Sequence, residues 1–146
     1  MSYLPILYRL ALSFWVGGVA IFTFVLTPIL FKTQPRDLAG KIVGVLFPGY
    51  FRWGLVCGAI ALICVILQRG KHFIPTLVLL LVMLAATTFQ ALVIEPKAAT
   101  LKAQIGSFET TAKDTPLRKE FSRLHGVSAV CNIVVFAGGV VLIVFL

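Results

Sequence analysis

The segment Phe121 to Asn132, FSRLHGVSAVCN, sets a histidine, a serine and an asparagine into an apolar stretch. His125, Ser128 and Asn132 stand at i, i+3 and i+7, so on an α-helix they share a face with Ser122, Phe136 and Gly139. An imidazole that titrates near neutral pH beside a hydroxyl and an amide suits binding of a small polar ligand, an ion or a cofactor edge. The same groups also serve as hydrogen-bonding glue between helices. Both readings stay open, and both require the face to look inward.

The elements that must position this face are set by composition. The chain has 146 residues, is 60% hydrophobic and 12% charged, and has a mean hydropathy of +1.03, too apolar for a soluble domain. Its 13 Lys and Arg exceed its 5 Asp and Glu, but the basic residues flank long apolar runs, which ties them to membrane orientation and not to nucleic acid. Three cysteines in apolar stretches give no disulfide framework and read as small packing residues. The first apolar run lacks a short h-region followed by a small-residue cleavage site, so an uncleaved first span is expected.

The expected architecture is all-α: a polytopic membrane protein forming a single domain, 1–146, of four transmembrane helices in an antiparallel bundle. The spans fall at about 3–31, 43–67, 73–93 and 117–146, each long enough for a hydrocarbon core. In the first, Arg9, Ser13, Gly17, Ala20, Thr23 and Thr27 form a stripe of small and polar residues expected to face the bundle. Thr33-Gln34-Pro35 reads as a capping signal for the second helix, whose entrance Pro48 is expected to bend. Tyr50, Phe51 and Trp53 beside Arg52 resemble an interfacial aromatic belt, and Gly54, Gly58 and Ala61 mark a packing face. Gln68 to His72 is a tight polar turn. Thr76, Met83, Thr87 and Gln90 share a face of the third helix, which Pro96 is expected to close. Ala98, Leu101, Ile105 and Phe108 then predict a short amphipathic helix in the third connection, and Thr115-Pro116 an N-cap and first position for the last helix.

Ten of the thirteen basic residues lie on the side of the two longer connections, while Arg9, Arg69 and Lys71 lie on the side of the termini. The positive-inside rule therefore predicts cytoplasmic connections 32–42 and 94–118, with both termini outside. Counted inward from the connection side, Thr27, Arg52, Thr87, Gln90, His125 and Ser128 fall within about two turns of their helix ends. With Asn132 they define a candidate polar pocket, read either as a ligand site with His125 as its titratable member or as an interhelical network.

No cofactor is expected. A bis-histidine haem within one subunit is disfavoured, because His72 lies at the outer turn and His125 near the inner side. Cys57 and Cys131 fall at similar depth, yet Cys131 points about 120° from His125 at 100° per residue, so no combined copper site forms. No metal ligand set is assigned, and phosphate-loop, HExxH and paired-carboxylate patterns do not occur within the spans.

Pro28 to Phe31, the Ala39 to Tyr50 stretch AGKIVGVLFPGY, and Leu124, His125, Ser128 and Asn132 in an LHxxSxxxN pattern carry a resemblance over essentially the whole chain. The sequence resembles the bacterial four-helix membrane domain-of-unknown-function family (DUF4149), allied to the eukaryotic transmembrane-protein-205 group. That resemblance implies a small four-span protein of the inner membrane, and an association of the eukaryotic relatives with platinum-drug handling and vesicle traffic, with no defined reaction. A likeness to the copper-resistance D and membrane protoporphyrinogen oxidase families extends to size and span count alone; this first helix has no histidine. The expected role is a non-enzymatic accessory or scaffold subunit, with the lipid bilayer, other membrane subunits or a second copy as partners and no nucleic acid. The alternative is binding or transport of a metal ion, porphyrin or other small solute through the pocket around His125.

Overall fold

The computed structural model describes residues 3–145 and contains four long helices: α1 (Leu4–Thr33), α2 (Arg36–Gln68), α3 (Phe73–Ile105) and α4 (Pro116–Val144). The outermost positions of the expected domain, Met1, Ser2 and Leu146, lie outside the described residues. Each helix is long and apolar enough to cross a bilayer. Consecutive helices are antiparallel neighbours and the ring closes, with α1 and α3 each packed against both α2 and α4. At 33 residues, α2 and α3 are each about 50 Å long against a core of about 30 Å, so their ends stand clear of the lipid.

Pro28 and Pro96 interrupt neither α1 nor α3. Each follows a short π-helical segment, Ile21–Leu26 in α1 and Gln90–Ile94 in α3, closed by bonds five residues long from Thr27 N–H to the Phe22 carbonyl and from Glu95 N–H to the Gln90 carbonyl. A proline removes one donor and crowds the carbonyl four residues earlier; a local widening accommodates that ring without ending the helix. This corrects the expectation that Pro96 closes the third span. The stretch 95–105 is helical, with Leu101 and Ile105 buried, but it is the continuation of α3 and not a separate element on the surface.

Glycine faces set the close contacts. The Trp15 indole is 1% exposed and lies against Gly54 and Gly58: a Cβ on Gly54 would stand 2.8 Å from its Nε1, and one on Gly58 2.8 Å from its ring and 2.5 Å from Leu84. On α4, a Cβ at Gly139 would meet Val16 at 2.1 Å, and one at Gly138 would meet Met83 at 3.1 Å. Gly54, Gly58 and Ala61 thus face the core as expected. The stripe of α1 does so only in part: Ala11, Leu12, Trp15, Val16, Val19 and Phe22 are buried, whereas Arg9 and Ser13 are exposed and Gly17, Ala20, Thr23 and Thr27 are half-buried. The slot for a large side chain is cut into α2, so α1 presents its bulk inward and its small residues to the flank. The aromatic belt is likewise split. Phe51 is buried and Tyr50 stacks on Phe22 at 4.3 Å, while Trp53 and Arg52 are exposed.

Beyond the lipid, the third connection is tied down by two charged side chains. Asp37, in the first turn of α2, accepts hydrogen bonds from the Ser107 hydroxyl and, at 2.7 Å, from the Phe108 N–H. Arg118 donates to the carbonyls of Phe108 and Thr111 at 2.8 and 2.7 Å and lies over the Phe108 ring. Pro35, not Thr33, precedes the first residue of α2; Thr33 instead bonds back to the Ile29 carbonyl within α1. Thr115 and Pro116 begin α4 as expected. The Ser107 and Phe108 bonds hold the Asp37 carboxyl below the usual carboxylate range, with Arg118 adding to the effect.

Three expectations follow. Gly58→Ala should cost about 1–3 kcal/mol by overpacking, measured by reversible unfolding in mixed micelles. Gly126→Ala, whose Cβ would meet nothing within 4 Å, should be neutral or stabilise by up to about 1 kcal/mol. Because the Asp37 carboxyl is lowered in the folded state, its contribution is present above the unfolded value near 3.9 and is lost as pH falls through the folded value. Thermal unfolding of wild type and Asp37→Ala should therefore differ at neutral pH, and the difference should shrink only as the pH falls below about 4 and through the folded value.

Candidate functional site: a buried polar network

Four helices meet at one side chain. Asn132 of α4 accepts through Oδ1 from the Tyr50 hydroxyl of α2 at 3.1 Å and from Gln90 Nε2 of α3 at 3.2 Å, and donates through Nδ2 to Thr23 Oγ1 of α1 at 3.2 Å. Ser128, one turn earlier on α4, donates to Gln90 Oε1 at 2.8 Å. Gln90 is 1% exposed, and Ser128 and Asn132 are also buried. Thr23 and Gln90 both lie in the π segments, so the turns that absorb Pro28 and Pro96 also carry the polar partners of Asn132.

Beside the network lies a cavity of about 10 Å³ bordered by Trp15, Gly54, Thr87, Gln90 and Asn132, with room for a single water molecule. Thr87 borders that cavity but spends its hydroxyl on the Met83 carbonyl of its own helix at 3.0 Å. Along the helices, Thr23, Tyr50 and Gln90 stand about 25–28 Å from the terminal-side ends of their helices at 1.5 Å per residue.

The structure brings together Ser128, Asn132 and Gln90 of the expected pocket, with Thr87 at its margin. It does not bring in the other three. Arg52 and His125 are exposed, and Thr27 is half-buried without a side-chain hydrogen bond to the network. On α4 the inward line runs through Phe121, Leu124, Ser128, Asn132, Val135, Gly139 and Leu142. At 100° per residue Leu124 lies about 40° to one side of Ser128 and His125 about 60° to the other, and the apolar side chain takes the inward place. Ser122 is exposed for the same reason.

Thr23 and Tyr50 are the members that the sequence pattern did not place in the pocket. Thr23 was visible in the polar stripe of α1, but it also continues the buried line of Leu12, Trp15 and Val19 at helical spacing, while Ser13 and Arg9 stay outside. Tyr50 reads as a belt residue because it neighbours Arg52 and Trp53; its ring is packed on Phe22 and its hydroxyl points to Asn132. Among the described residues no group of three or more His, Cys, Asp or Glu side chains is placed to hold a metal ion, and Cys57, Cys64 and Cys131 are free thiols.

Four apolar helices closed around a satisfied polar core define an integral membrane bundle. The chain belongs to the family described as "Domain of unknown function (DUF4149)", whose model matches residues 10–107. It is also similar to an uncharacterized protein of Aquifex aeolicus (strain VF5), 32% identical over 139 residues and covering 92% of each chain. No solved structure matches it. The family match contains Thr23, Tyr50 and Gln90, and α4 with Ser128 and Asn132 lies beyond it.

Asn132→Leu removes three interhelical bonds and leaves Tyr50, Thr23 and Gln90 short of partners, with room beside them for one water molecule at most. It should cost about 2 kcal/mol, read by mixed-micelle unfolding, whereas His125→Ala should change stability by less than about 0.5 kcal/mol.

Proposed function

We propose that the protein is a non-enzymatic accessory or scaffold bundle of the bacterial cytoplasmic membrane, which presents an outer helix face to another membrane subunit or to a second copy. The observation that carries this reading is the closure of the polar core. Its amides and hydroxyls are spent on one another, and the adjoining space of about 10 Å³ is far below what a porphyrin or a hydrated solute needs. The versatile side chains of this end of the bundle, Arg52, Arg123 and His125, stand on the outside. Next to His125, Gly126 has open space around it, which lets another helix approach the backbone of α4 closely. A polar imidazole at a lipid-facing position is costly unless it meets a partner or reaches the interface, which supports a docking role over a transport role.

In this reading the connections 32–42 and 94–118 face the cytoplasm and both termini face outward. The asymmetry of Lys and Arg supports that orientation, and all five side-chain carboxylates lie at the same connection end, at Asp37, Glu95, Glu109, Asp114 and Glu120.

The test combines composition with assembly. Protein purified in mild detergent should carry no stoichiometric metal or porphyrin by elemental and optical analysis. His125→Ala and Gly126→Leu should alter oligomer size or the set of co-purifying membrane proteins while unfolding as the wild type does. A stoichiometric ligand lost in His125→Ala would replace this reading with handling of that ligand.

A further inference from the structure

At the opposite end of the bundle, where α1 begins and the turn from α2 to α3 crosses over it, the structure holds a second cavity of about 130 Å³. Its polar wall consists of Tyr8, Gln68, Lys71, His72 and Thr76, with Val65 and Phe73 as its apolar floor. This wall offers an ammonium, which only donates, and a phenol, a hydroxyl, an amide and an imidazole, each of which can donate. The Tyr8 hydroxyl is shielded from solvent and, among the described residues, is the buried side-chain polar atom that lacks a hydrogen-bond partner. A shielded donor without a partner is unfavourable, and a ligand acceptor in the cavity would remove that penalty.

The electrostatics select the sign of that acceptor. Lys71 lines the cavity and Arg69 belongs to the same turn, while every side-chain carboxylate of the chain lies at the other end of the molecule. α3 starts at Phe73, so the positive end of its dipole adjoins the cavity as well. At about 130 Å³, against the about 10–15 Å³ that one water molecule needs, the cavity has room for one tetrahedral oxyanion and is too small for a large organic ligand. The cavity lies at the terminal-side ends of helices long and apolar enough to cross a bilayer, where a lipid headgroup could reach it.

We infer that this cavity is a binding site for a phosphate oxyanion, held by the Lys71 ammonium and by hydroxyl donation from Tyr8 and Thr76. The phosphate belongs either to an anionic phospholipid headgroup or to a free phosphate ion, and the experiment separates the two sources. Thermal unfolding of the detergent-solubilised protein is followed against inorganic phosphate and, separately, against a short-chain phosphatidylglycerol, with chloride at equal ionic strength as the reference. The variants are Tyr8→Phe, Lys71→Gln and, at the far end, Lys113→Gln.

At least one of the two probes should raise the unfolding temperature saturably, with a midpoint concentration about tenfold or more higher in Tyr8→Phe and Lys71→Gln. The midpoint should be unchanged in Lys113→Gln. A response to inorganic phosphate assigns the site to the free ion; a response to phosphatidylglycerol alone assigns it to the lipid. Tyr8→Phe removes an unpartnered hydroxyl, so without added ligand it should unfold at a temperature no lower than wild type, which keeps the comparison between folded proteins. The assignment is overturned if neither probe shifts unfolding beyond the chloride reference, or if the midpoint is the same in wild type, Tyr8→Phe and Lys71→Gln.

Discussion

One amide organises the interior. A primary amide in an apolar bundle is expensive unless its oxygen and nitrogen are both engaged, and lipid offers no water to engage them. Asn132 meets this constraint by reaching a different helix with each of its three bonds: Tyr50 on α2, Gln90 on α3 and Thr23 on α1. A translation or rotation of any one helix breaks a bond at the centre. Apolar packing alone would tolerate such slips, since lipid tails compete with side chains on nearly equal terms. The network thus fixes register, while the glycine slots around Trp15 and Val16 set how closely the helices approach.

The two prolines belong to the same arrangement. Pro28 and Pro96 occupy antiparallel-bundle helices at comparable depth, each directly after a π segment, and each π segment contributes a network residue. An extra residue per turn rotates the following part of the helix relative to the preceding part. In α1 the bulky line Leu12, Trp15 and Val19 faces the core, and Thr23, one turn after Val19, continues that line toward Asn132.

Much of the fold was legible in the residues. Four long apolar runs separated by charged or Gly-containing breaks dictate four spanning helices, and the Gly54, Gly58 and Ala61 spacing locates a packing face because close approach needs small residues at helical intervals. Ser128, Asn132 and Gln90 were legible for the complementary reason that polar side chains inside a span need partners. His125 was not separable from them by spacing alone: it lies within 100° of the inward line, and only the competing apolar Leu124 decides which of the two turns in. Tyr50 was hidden by its neighbours, and Thr23 read as part of the Arg9 and Ser13 stripe although it also continues the apolar line of Leu12, Trp15 and Val19. Pro96 illustrates the same limit, since a proline signals a break unless the backbone ahead of it can widen.

The two ends of the molecule differ in chemistry. At the connection end, Asp37 and Arg118 bind the loop after α3 to the starts of α2 and α4, and carboxylates balance part of the basic charge. At the terminal end the charges are all basic on the side chains and border an open cavity. Between them the sealed network separates the ends. The central claim is that Asn132 couples the helices energetically, and a double-mutant cycle of Gln90→Leu and Asn132→Leu in mixed-micelle unfolding tests it most directly. The account predicts a coupling energy of about 1 kcal/mol or more; strictly additive effects would show that these side chains only share a neighbourhood and would contradict it.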